Sequence, residues 1–391
     1  MPTGRTYDVV LFGATGFTGA LTAEYLARNA PAKLRWALAG RNKAKLETVR
    51  AGLAAIDPVL AEMDLLAADV TDQDSLKAVA EAARVVVTTV GPYVAYGDAL
   101  VGACAAAGTD YVDLTGEPEF VDQTYLRHHA KAVETGARLV HACGFDSIPY
   151  DLGVYFTVQQ LPEGTPLVVN GYVRASADFS GGTFHSAITA FSRLRTSARI
   201  AGERRKAEGR VAGRKVRGIS GRPHFEKDAG AWVLPAPTID PQIVLRSARA
   251  LERYGPDFSY GHYIAVKKLP VAVGLVGGVA AMFAAAQVKP VREWLLGRKK
   301  PGDGPSAAKR AKSWFKVRIV GTGGGKRVVT EVAGGDPGYD ETAKMLSESA
   351  LCLAFDPLPE VSGQVTTATA MGDELLKRLV AAGITFTVVE G

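Results

Sequence analysis

The stretch that decides the fold is residues 7–30, YDVVLFGATGFTGALTAEYLARNA. A short apolar run rich in β-branched residues is followed by three glycines and then by an amphipathic helical pattern. Glycine lets the chain turn sharply and lets a ligand approach the backbone, and the helix that follows offers N–H groups and a positive dipole end to phosphates. The G-x-x-G-x-x-G spacing in this strand–turn–helix context predicts a dinucleotide-binding turn. The residues predicted to form it are Gly13, Ala14, Thr15, Gly16, Phe17, Thr18 and Gly19.

Strands alternate with helices through the first third of the chain. Strand-like runs recur at 34–39, 84–90, 110–114 and 137–142, with helical patterns between them. Such alternation is typical of right-handed βαβ units on a parallel sheet. We therefore predict an α/β protein whose N-terminal domain is a Rossmann fold, a doubly wound parallel sheet.

After Pro149 the pattern changes. A long alternating strand at 167–176 and a Gly-rich hairpin between SWFKVRIVG and KRVVTEVAG predict an α+β domain on a mostly antiparallel sheet. A helix of about twenty residues is expected from Thr183, and 297–312 has the composition of a mobile loop. The expected domains are 1–148 for cofactor binding, 149–336 for substrate or partner, and 337–391 as C-terminal helices that pack back on the first domain.

The end of the second strand indicates which dinucleotide is bound. NAD-selective sites place Asp or Glu there for the ribose hydroxyls, whereas this chain has Gly40-Arg41-Asn42. Arginine pairs with a 2′-phosphate, and a carboxylate would repel it. Arg41 and Asn42 therefore predict NADP(H), with a solvent-facing arginine at a helix start as the alternative.

Further candidates follow other strands. Asp69, after the third strand, is a candidate for the adenine end, and Gly91 and Pro92 lie where the cofactor must run along the carboxyl edge of the sheet. The candidates for a hydroxyl or a proton donor near the nicotinamide are Tyr93, Tyr96, Asp146 and Ser147. The tyrosines are equally explained by packing, and Asp146-Ser147 by capping of the next helix. The sequence contains no recognisable metal-ligand pattern.

Charge and cysteine content restrict the class of protein. The 391 residues carry a net charge of +6, and the positive charge is concentrated at 193–217 and 289–318, each with ten basic and two acidic residues. Few aromatic residues accompany these segments, so we expect solvated faces or an anionic partner rather than nucleic acid. Three scattered cysteines and an N-terminus unlike a secretory signal predict a cytoplasmic protein.

Residues 269–288, LPVAVGLVGGVAAMFAAAQV, are uncharged over twenty residues. Lysines precede the segment, and Lys289 and Arg292 follow it. Three interpretations remain: a buried or interface helix, an element on the membrane surface attracted by the flanking cations, and a transmembrane span.

The motifs together resemble one family, the saccharopine dehydrogenase-like oxidoreductases. They include G-A-T-G-F-T-G at 13–19, A-L-A-G-R at 37–41, T-T-V-G-P-Y at 88–93 and C-G-F-D-S-I-P at 143–149. T-A-x-A-M-G-D-x-L-L at 367–376 extends the likeness to the C-terminal part. Within that family the chain is most similar to the trans-acting enoyl reductases of mycobacterial phthiocerol and phenolglycolipid synthesis.

The resemblance implies an NADPH-dependent enoyl reductase of lipid biosynthesis. It would act on a long-chain α,β-unsaturated acyl or polyketide thioester carried by coenzyme A, an acyl carrier protein or a polyketide synthase. The alternatives are an amino-acid dehydrogenase of saccharopine type and a non-catalytic NADP-binding protein on membranes or lipid. Peripheral membrane contact through 269–288, and an oligomer, are compatible with the sequence.

Overall fold

The structure is a computed structural model that describes residues 4–176, 188, 192–298 and 304–391. Two compact units divide the chain. The first comprises the N-terminal part as far as Phe145 together with Tyr339–Arg378, and the second comprises most of 146–338 with Leu379–Gly391. The C-terminal part therefore contributes to both units, whereas all of 337–391 was expected to pack back on the first domain.

The first unit is built on a seven-stranded sheet in which every pairing is parallel. Its order is β14-β6-β5-β4-β1-β2-β3. The strands are β1 Tyr7–Phe12, β2 Trp36–Gly40, β3 Leu65–Ala67, β4 Ala83–Thr88, β5 Asp110–Asp113, β6 Arg138–Val140 and β14 Gly363–Val365. The predicted doubly wound parallel sheet is confirmed, and its order reverses between β1 and β4.

Helices follow the strands of this sheet as the βαβ pattern predicts. In the first unit they are α1 Phe17–Asn29, α2 Lys43–Ala54, α3 Gln73–Ala82, α4 Tyr93–Tyr96, α5 Asp98–Ala107, α6 Pro118–Thr135, α13 Asp340–Phe355 and α14 Thr367–Ala370. Helix α15, Gly372–Ala381, begins in this unit, and a short 3₁₀ helix covers Pro58–Glu62. Helix α13 packs on α1 and β4. The central strands are fully buried, with Val9, Val10 and Leu11 inaccessible to solvent.

The second unit is built on an eight-stranded sheet with the order β15-β13-β12-β7-β11-β10-β9, and β8 pairs with β11. The strands are β7 Leu167–Ser176, β8 Lys215–Gly218, β9 His224–Glu226, β10 Ala231–Pro235, β11 Asp257–Val266, β12 Trp314–Gly323, β13 Lys326–Gly334 and β15 Thr385–Glu390. Only the β7–β11 and β8–β11 pairs are parallel. The predicted mostly antiparallel α+β domain is confirmed.

The helices of this unit are α7 Ile148–Val158, α8 Leu194–Glu208, α9 Asp240–Ala250, the apolar helix α10 Leu269–Gln287, α11 Lys289–Arg298 and α12 Ala307–Arg310, with a 3₁₀ turn at Glu252–Tyr254. The first part of the helix expected from Thr183 lies outside the described residues, and α8 overlaps the later part of that prediction. The expected loop at 297–312 contains α12, because Ser306 to Arg310 close a helical turn.

Candidate functional site

The turn between β1 and α1 excludes side chains at two of its glycines. Gly13 has φ +97°, and a Cβ there would lie 2.6 Å from Cγ2 of Val90. A Cβ at Gly19 would lie 2.2 Å from the carbonyl oxygen of Gly13. At Gly16, by contrast, a Cβ would meet only that same carbonyl oxygen, at 3.5 Å. The turn thus has no room for a side chain at Gly13 or Gly19, whereas the backbone at Gly16 is exposed to solvent.

The N-terminus of α1 fits an anion. Gly16 is its N-cap, and among the described residues no side chain caps it and no acidic residue lies in its first turn. Ala14 is buried, Thr15 is exposed, and Phe17 and Thr18 are half-buried. Open backbone at a positive helix end suits the pyrophosphate of a dinucleotide.

This turn lies at the carboxyl edge of the sheet, where the strand order reverses between β1 and β4. Thr89, just after β4, donates its backbone N–H to the carbonyl of Phe12 at 3.1 Å and its hydroxyl to that of Gly13 at 3.1 Å. Ligands of open α/β sheets bind at this point of the fold. The structure thus brings the predicted glycines and the 88–92 segment together.

Arg41 and Asp69 lie near each other beyond β2 and β3. Asp69 accepts hydrogen bonds from the backbone N–H and the hydroxyl of Thr71 at 2.9 and 2.7 Å, and these bonds, with a smaller contribution from Arg41, lower its pKa. Arg41 is exposed. Asn42 caps α2, accepting from the backbone N–H of Lys45 at 2.9 Å, so its side chain has a structural task whether or not it also contacts a cofactor.

The loop after β4 is held by Tyr93 and by Glu117. The Tyr93 hydroxyl donates to the carbonyl of Thr88 at 3.1 Å and accepts from the N–H of Leu114 at 3.2 Å. Burial raises the pKa of Tyr93 well above its usual value, and the side chain is 6% exposed. Because the hydroxyl already donates one hydrogen bond and accepts another from the backbone, it positions the loop and is a poor proton donor to a substrate. Tyr96 is 47% exposed, and its hydroxyl forms no hydrogen bond in the part of the chain that the structure describes.

Glu117 is a residue that the sequence reasoning missed. Its buried carboxylate accepts from the backbone N–H groups of Tyr93 and Val94 at 3.2 and 2.8 Å, and so fixes α4 directly after the cis Gly91–Pro92 peptide. The available signal was the D-L-T-G-E motif at 113–117, which places polar residues just after a buried strand.

A buried polar network lies at the ends of β5 and β6. Asp113 accepts from Nδ1 of His141 at 2.7 Å and from the N–H of Ala142 at 2.9 Å, and Nε2 of His141 lies 3.1 Å from the hydroxyl of Thr124. Ala142 has φ +59°, a left-handed conformation that is costly for a residue with a Cβ. His141 is therefore enclosed and serves to hold this strained turn.

The turn continues into Asp146 and Ser147, which belong to the second unit. Neither side chain caps α7 among the described residues, although the sequence offered capping as an explanation. The hydroxyl of Ser147 is buried without a hydrogen-bond partner there. Asp146 keeps an exposed face, and desolvation by the surrounding protein raises its pKa to about 6. A carboxyl group of that pKa is partly protonated near neutrality and can donate a proton.

Behind Asp146 the second unit contains a buried Asp–His–Tyr chain. Oδ2 of Asp240 lies 3.5 Å from Nε2 of His262, whose Nδ1 lies 3.0 Å from the hydroxyl of Tyr260. Burial, and next the charge of Asp146, raise the pKa of Asp240 well above its usual value, while burial lowers that of His262 to about 3. Burial thus favours the neutral form of both groups. Oδ1 of Asp240 has no partner in the described part of the chain.

Comparisons with known proteins identify the family of this chain. Residues 9–140 match the saccharopine dehydrogenase NADP binding domain. A putative trans-acting enoyl reductase of Mycobacterium tuberculosis is 40% identical, with 98% of this chain and 97% of the relative covered, and a trans-acting enoyl reductase of Mycobacterium leprae is 37% identical over 98% of both. Apo saccharopine dehydrogenase (L-Glu forming) from Saccharomyces cerevisiae has the same fold, with a TM-score of 0.56 at 13% identity over 98% of this chain and 100% of that one.

Fold, phosphate-binding turn and family match define an NADP-dependent oxidoreductase, and its cofactor is NADP(H). The chain belongs to the saccharopine dehydrogenase-like family, in the branch that contains the mycobacterial trans-acting enoyl reductases. The resemblance seen in the motifs is thereby confirmed.

Proposed function

We propose that this protein is an enoyl reductase that acts in trans: it reduces the carbon–carbon double bond of an α,β-unsaturated acyl thioester made by another protein. The observation that carries the proposal is the similarity to trans-acting enoyl reductases over 98% of the chain. The long-chain acyl or polyketide substrate and the role in lipid biosynthesis belong to the same proposal.

In this proposal the residues of the first unit bind and orient the cofactor. The Gly13–Gly19 turn and the N-terminus of α1 hold the pyrophosphate, and Arg41, beside Asp69, holds the 2′-phosphate. Gly91 and Pro92, fixed by Glu117 through α4, form the wall along which the nicotinamide half lies. The cofactor supplies the hydride for the β-carbon, and the protein must supply a proton for the α-carbon.

We assign that proton to Asp146. Of the four predicted candidates, Tyr93 has its hydroxyl committed to backbone groups, and Ser147 is fully buried. Tyr96 is exposed, and among the described residues no hydrogen bond orients its hydroxyl. Asp146 combines an exposed face with a pKa of about 6. Desolvation by the surrounding protein disfavours the ionised form of Asp146 and so favours the acid.

The decisive assay follows NADPH absorbance with a long-chain trans-2-enoyl-CoA, with the saturated acyl-CoA as the control substrate. We expect oxidation of NADPH with the first and none with the second. Turnover only with 2-oxoglutarate plus an amino acid would instead establish the saccharopine-type alternative. Tight NADPH binding without turnover of either substrate would favour a non-catalytic NADP-binding protein.

For the carrier we propose that a basic cavity of the second unit receives the phosphates of coenzyme A or phosphopantetheine. The cavity measures about 390 Å³. Its basic lining residues are Arg210, Arg214, Lys215, Arg217 and Arg249. Arg214 is committed to helix carbonyls and Arg217 to Asp257, whereas Arg210 and Lys215 are exposed and form no salt bridge within the described ranges.

Replacing Arg210 and Lys215 by alanine tests this assignment. We expect the KM for an enoyl-CoA to rise roughly tenfold, because two charge-assisted contacts to phosphate are lost. The KM for an enoyl thioester of N-acetylcysteamine, which has no phosphate, should not change. Arg195→Ala, at an exposed arginine of α8, is the matched control. Equal effects on both thioesters would contradict a phosphate role.

We also propose that the protein acts in the cytoplasm. Cys104, Cys143 and Cys352 are all buried and form no disulfide bond, which suits a reducing compartment. Fractionation of cells that express the tagged protein tests this, and recovery from an extracytoplasmic fraction would contradict it.

A further inference from the structure

The apolar helix α10, Leu269–Gln287, exposes a long run of apolar side chains. Only Ala272 and Ala286 of its residues are buried. Its large apolar side chains face solvent, with Val273 63% and Val276 48% exposed. Exposed apolar patches of this extent in soluble proteins mark interaction sites, because each such side chain gains free energy when it leaves water.

The helix has no polar face. A helix that contacts the protein with one side and water with the other alternates apolar and polar residues, whereas α10 is composed of apolar residues, glycines and one glutamine at its end. It is the one helix of the described chain that is long and apolar enough to cross a membrane. Its 19 residues span about 28 Å, close to the thickness of a hydrocarbon core.

The topology of the second sheet excludes α10 as a single transmembrane span. The chain enters α10 from β11 and returns as β12, and both strands are hydrogen-bonded to β7. Both ends of the segment between Val266 and Trp314 therefore lie on the same side of any membrane. The return would need a second helix of about twenty apolar residues, but α11 has ten residues and includes Lys289, Arg292 and Glu293.

Positive charge flanks the apolar helix at both ends. Lys267 and Lys268 precede it, are exposed and form no salt bridge among the described residues. Lys289 and Arg292 follow it, and Lys289 forms a salt bridge with Glu293 at 4.0 Å. Trp294, 55% exposed, extends the same surface. Cations and an aromatic ring at the ends of an apolar helix match the anionic headgroup layer of a bilayer.

We infer that α10 embeds in one leaflet of an anionic lipid bilayer as a monotopic element, with both ends at the headgroups of the same face. The helix satisfies its own backbone hydrogen bonds, so it can enter hydrocarbon without a polar partner. The inference does not depend on the enoyl reductase proposal, because it rests on the exposure, topology and charge of this segment alone.

Flotation of the full-length protein with vesicles tests the inference. We expect it to float with phosphatidylcholine vesicles that contain about 30% phosphatidylglycerol, and roughly tenfold less with phosphatidylcholine alone. The double variant Val276→Glu, Val279→Glu should lower the bound fraction about tenfold or more, because carboxylates must enter the hydrocarbon. Val59→Glu, at a 79% exposed valine of the first unit, is the matched control and should float as the wild type does.

A second pair of variants keeps the result interpretable if the double variant folds poorly. Lys267→Gln with Lys268→Gln should reduce binding to anionic vesicles roughly tenfold and leave binding to neutral ones unchanged. NADPH binding, measured by fluorescence, reports on the first unit and should be normal in every variant. Because the native cysteines are buried, a fluorophore at Val279→Cys reports on α10 alone, and it should be quenched by lipid-borne but not aqueous quenchers.

Two results would overturn the inference. One is a wild-type protein that floats with neither kind of vesicle. The other is a wild-type dimer in solution that the Val276→Glu, Val279→Glu variant converts to a monomer, without any vesicle binding, since the helix would then be covered by a second copy. Neither result depends on whether an enoyl thioester is turned over, so failure of the enoyl reductase proposal would be seen separately.

Discussion

Arg41, exposed directly after β2, carries the predicted preference for a 2′-phosphate. Arg41→Ala should raise the KM for NADPH roughly 10- to 100-fold, because a charge-assisted pair contributes about 1.5–3 kcal/mol. The KM for NADH should change much less, since NADH lacks that phosphate. Steady-state kinetics with both cofactors measure this.

Lys43→Ala is the control for Arg41, because Lys43 is exposed in the same region but lies in the first turn of α2. It should leave both constants nearly unchanged. Equal losses for NADPH and NADH in Arg41→Ala would contradict the assignment of the phosphate to this guanidinium.

Asp146 should give the reaction a characteristic pH dependence. Its pKa is raised to about 6, and a proton donor acts only while protonated. We therefore expect kcat/KM to be constant below about pH 6 and to fall tenfold per pH unit above it. Asp146→Asn should lose activity and this slope together, whereas Ser147→Ala should keep the slope.

The same shift predicts a gain in stability for Asp146→Asn. A carboxyl group whose pKa is raised in the folded state binds its proton more tightly there than when unfolded, so ionisation disfavours the fold. The penalty grows as the pH rises from the ordinary aspartate range to about 6 and is fully present above it. Thermal unfolding at pH 7.5 should give a higher Tm for the variant. A lower Tm together with lost activity would indicate a structural residue.

At the scale of the element, the turn before α1 permits a test with two glycines. Gly19→Ala places a Cβ 2.2 Å from a backbone oxygen and should destabilise the first unit by several kcal/mol. Gly16→Ala meets nothing closer than 3.5 Å, and Gly16 has φ −81°, so this variant should fold with a Tm near wild type. Its methyl group points into the space we assign to the pyrophosphate. Its Kd for NADPH, measured by titration, should rise about tenfold or more. An unchanged Kd would show that the cofactor does not contact this residue.

The sequence predicted the elements whose signals are local. The β1–turn–α1 unit and the alternation after it follow from periodicity and glycine spacing, and both were confirmed. Strand β14 could not be predicted, because Gly363–Val365 has three residues and no alternation, and only its pairing with β6 makes it a strand.

Within the site, too, residues with a local sequence signal could be proposed, whereas residues that act over a long sequence separation could not. The glycines and Arg41 could be proposed for phosphate binding from the sequence, because that chemistry requires those residue types after those strands, and their roles stay predictions. The roles of Glu117 and Asp240 could not be proposed, because each acts across a long sequence separation: Glu117 on the backbone of Tyr93 and Asp240 on His262. Asn42 was predicted to bind the cofactor from its place after β2, but the same place lets its side chain cap α2, so position alone does not separate the two roles.

At the scale of the molecule, Arg378 connects the C-terminal part of the chain to the first unit. It binds both Asp356, with Nη2 at 2.8 Å, and the nearly buried Glu348, at 3.1 Å, and Glu348 also accepts from the hydroxyl of Tyr25 in α1 at 2.8 Å. Arg378→Ala leaves a largely buried carboxylate without its cation. We expect the free energy of unfolding, measured in urea, to fall by about 2–3 kcal/mol.

Arg327→Ala is the matched control for Arg378→Ala. Arg327 also binds two carboxylates, Asp228 and Glu390, but its side chain is 41% exposed. Exposed pairs contribute about 0–1 kcal/mol, so the loss should be correspondingly small. Losses of similar size in the two variants would mean that burial of Glu348 is not what makes the Arg378 cluster stabilising.

The pairing of β14 with β6 has a consequence for synthesis of the protein. More than 200 residues separate Val140 from Gly363, and at about 5–20 residues per second the ribosome needs roughly 10–50 s to add them. During that time the nascent Rossmann sheet exposes the hydrogen-bonding edge of β6, which is a template for pairing with other strands. Nascent chains stalled before Gly363 should therefore be bound by chaperones at β6, and chains stalled after α15 has emerged should be released.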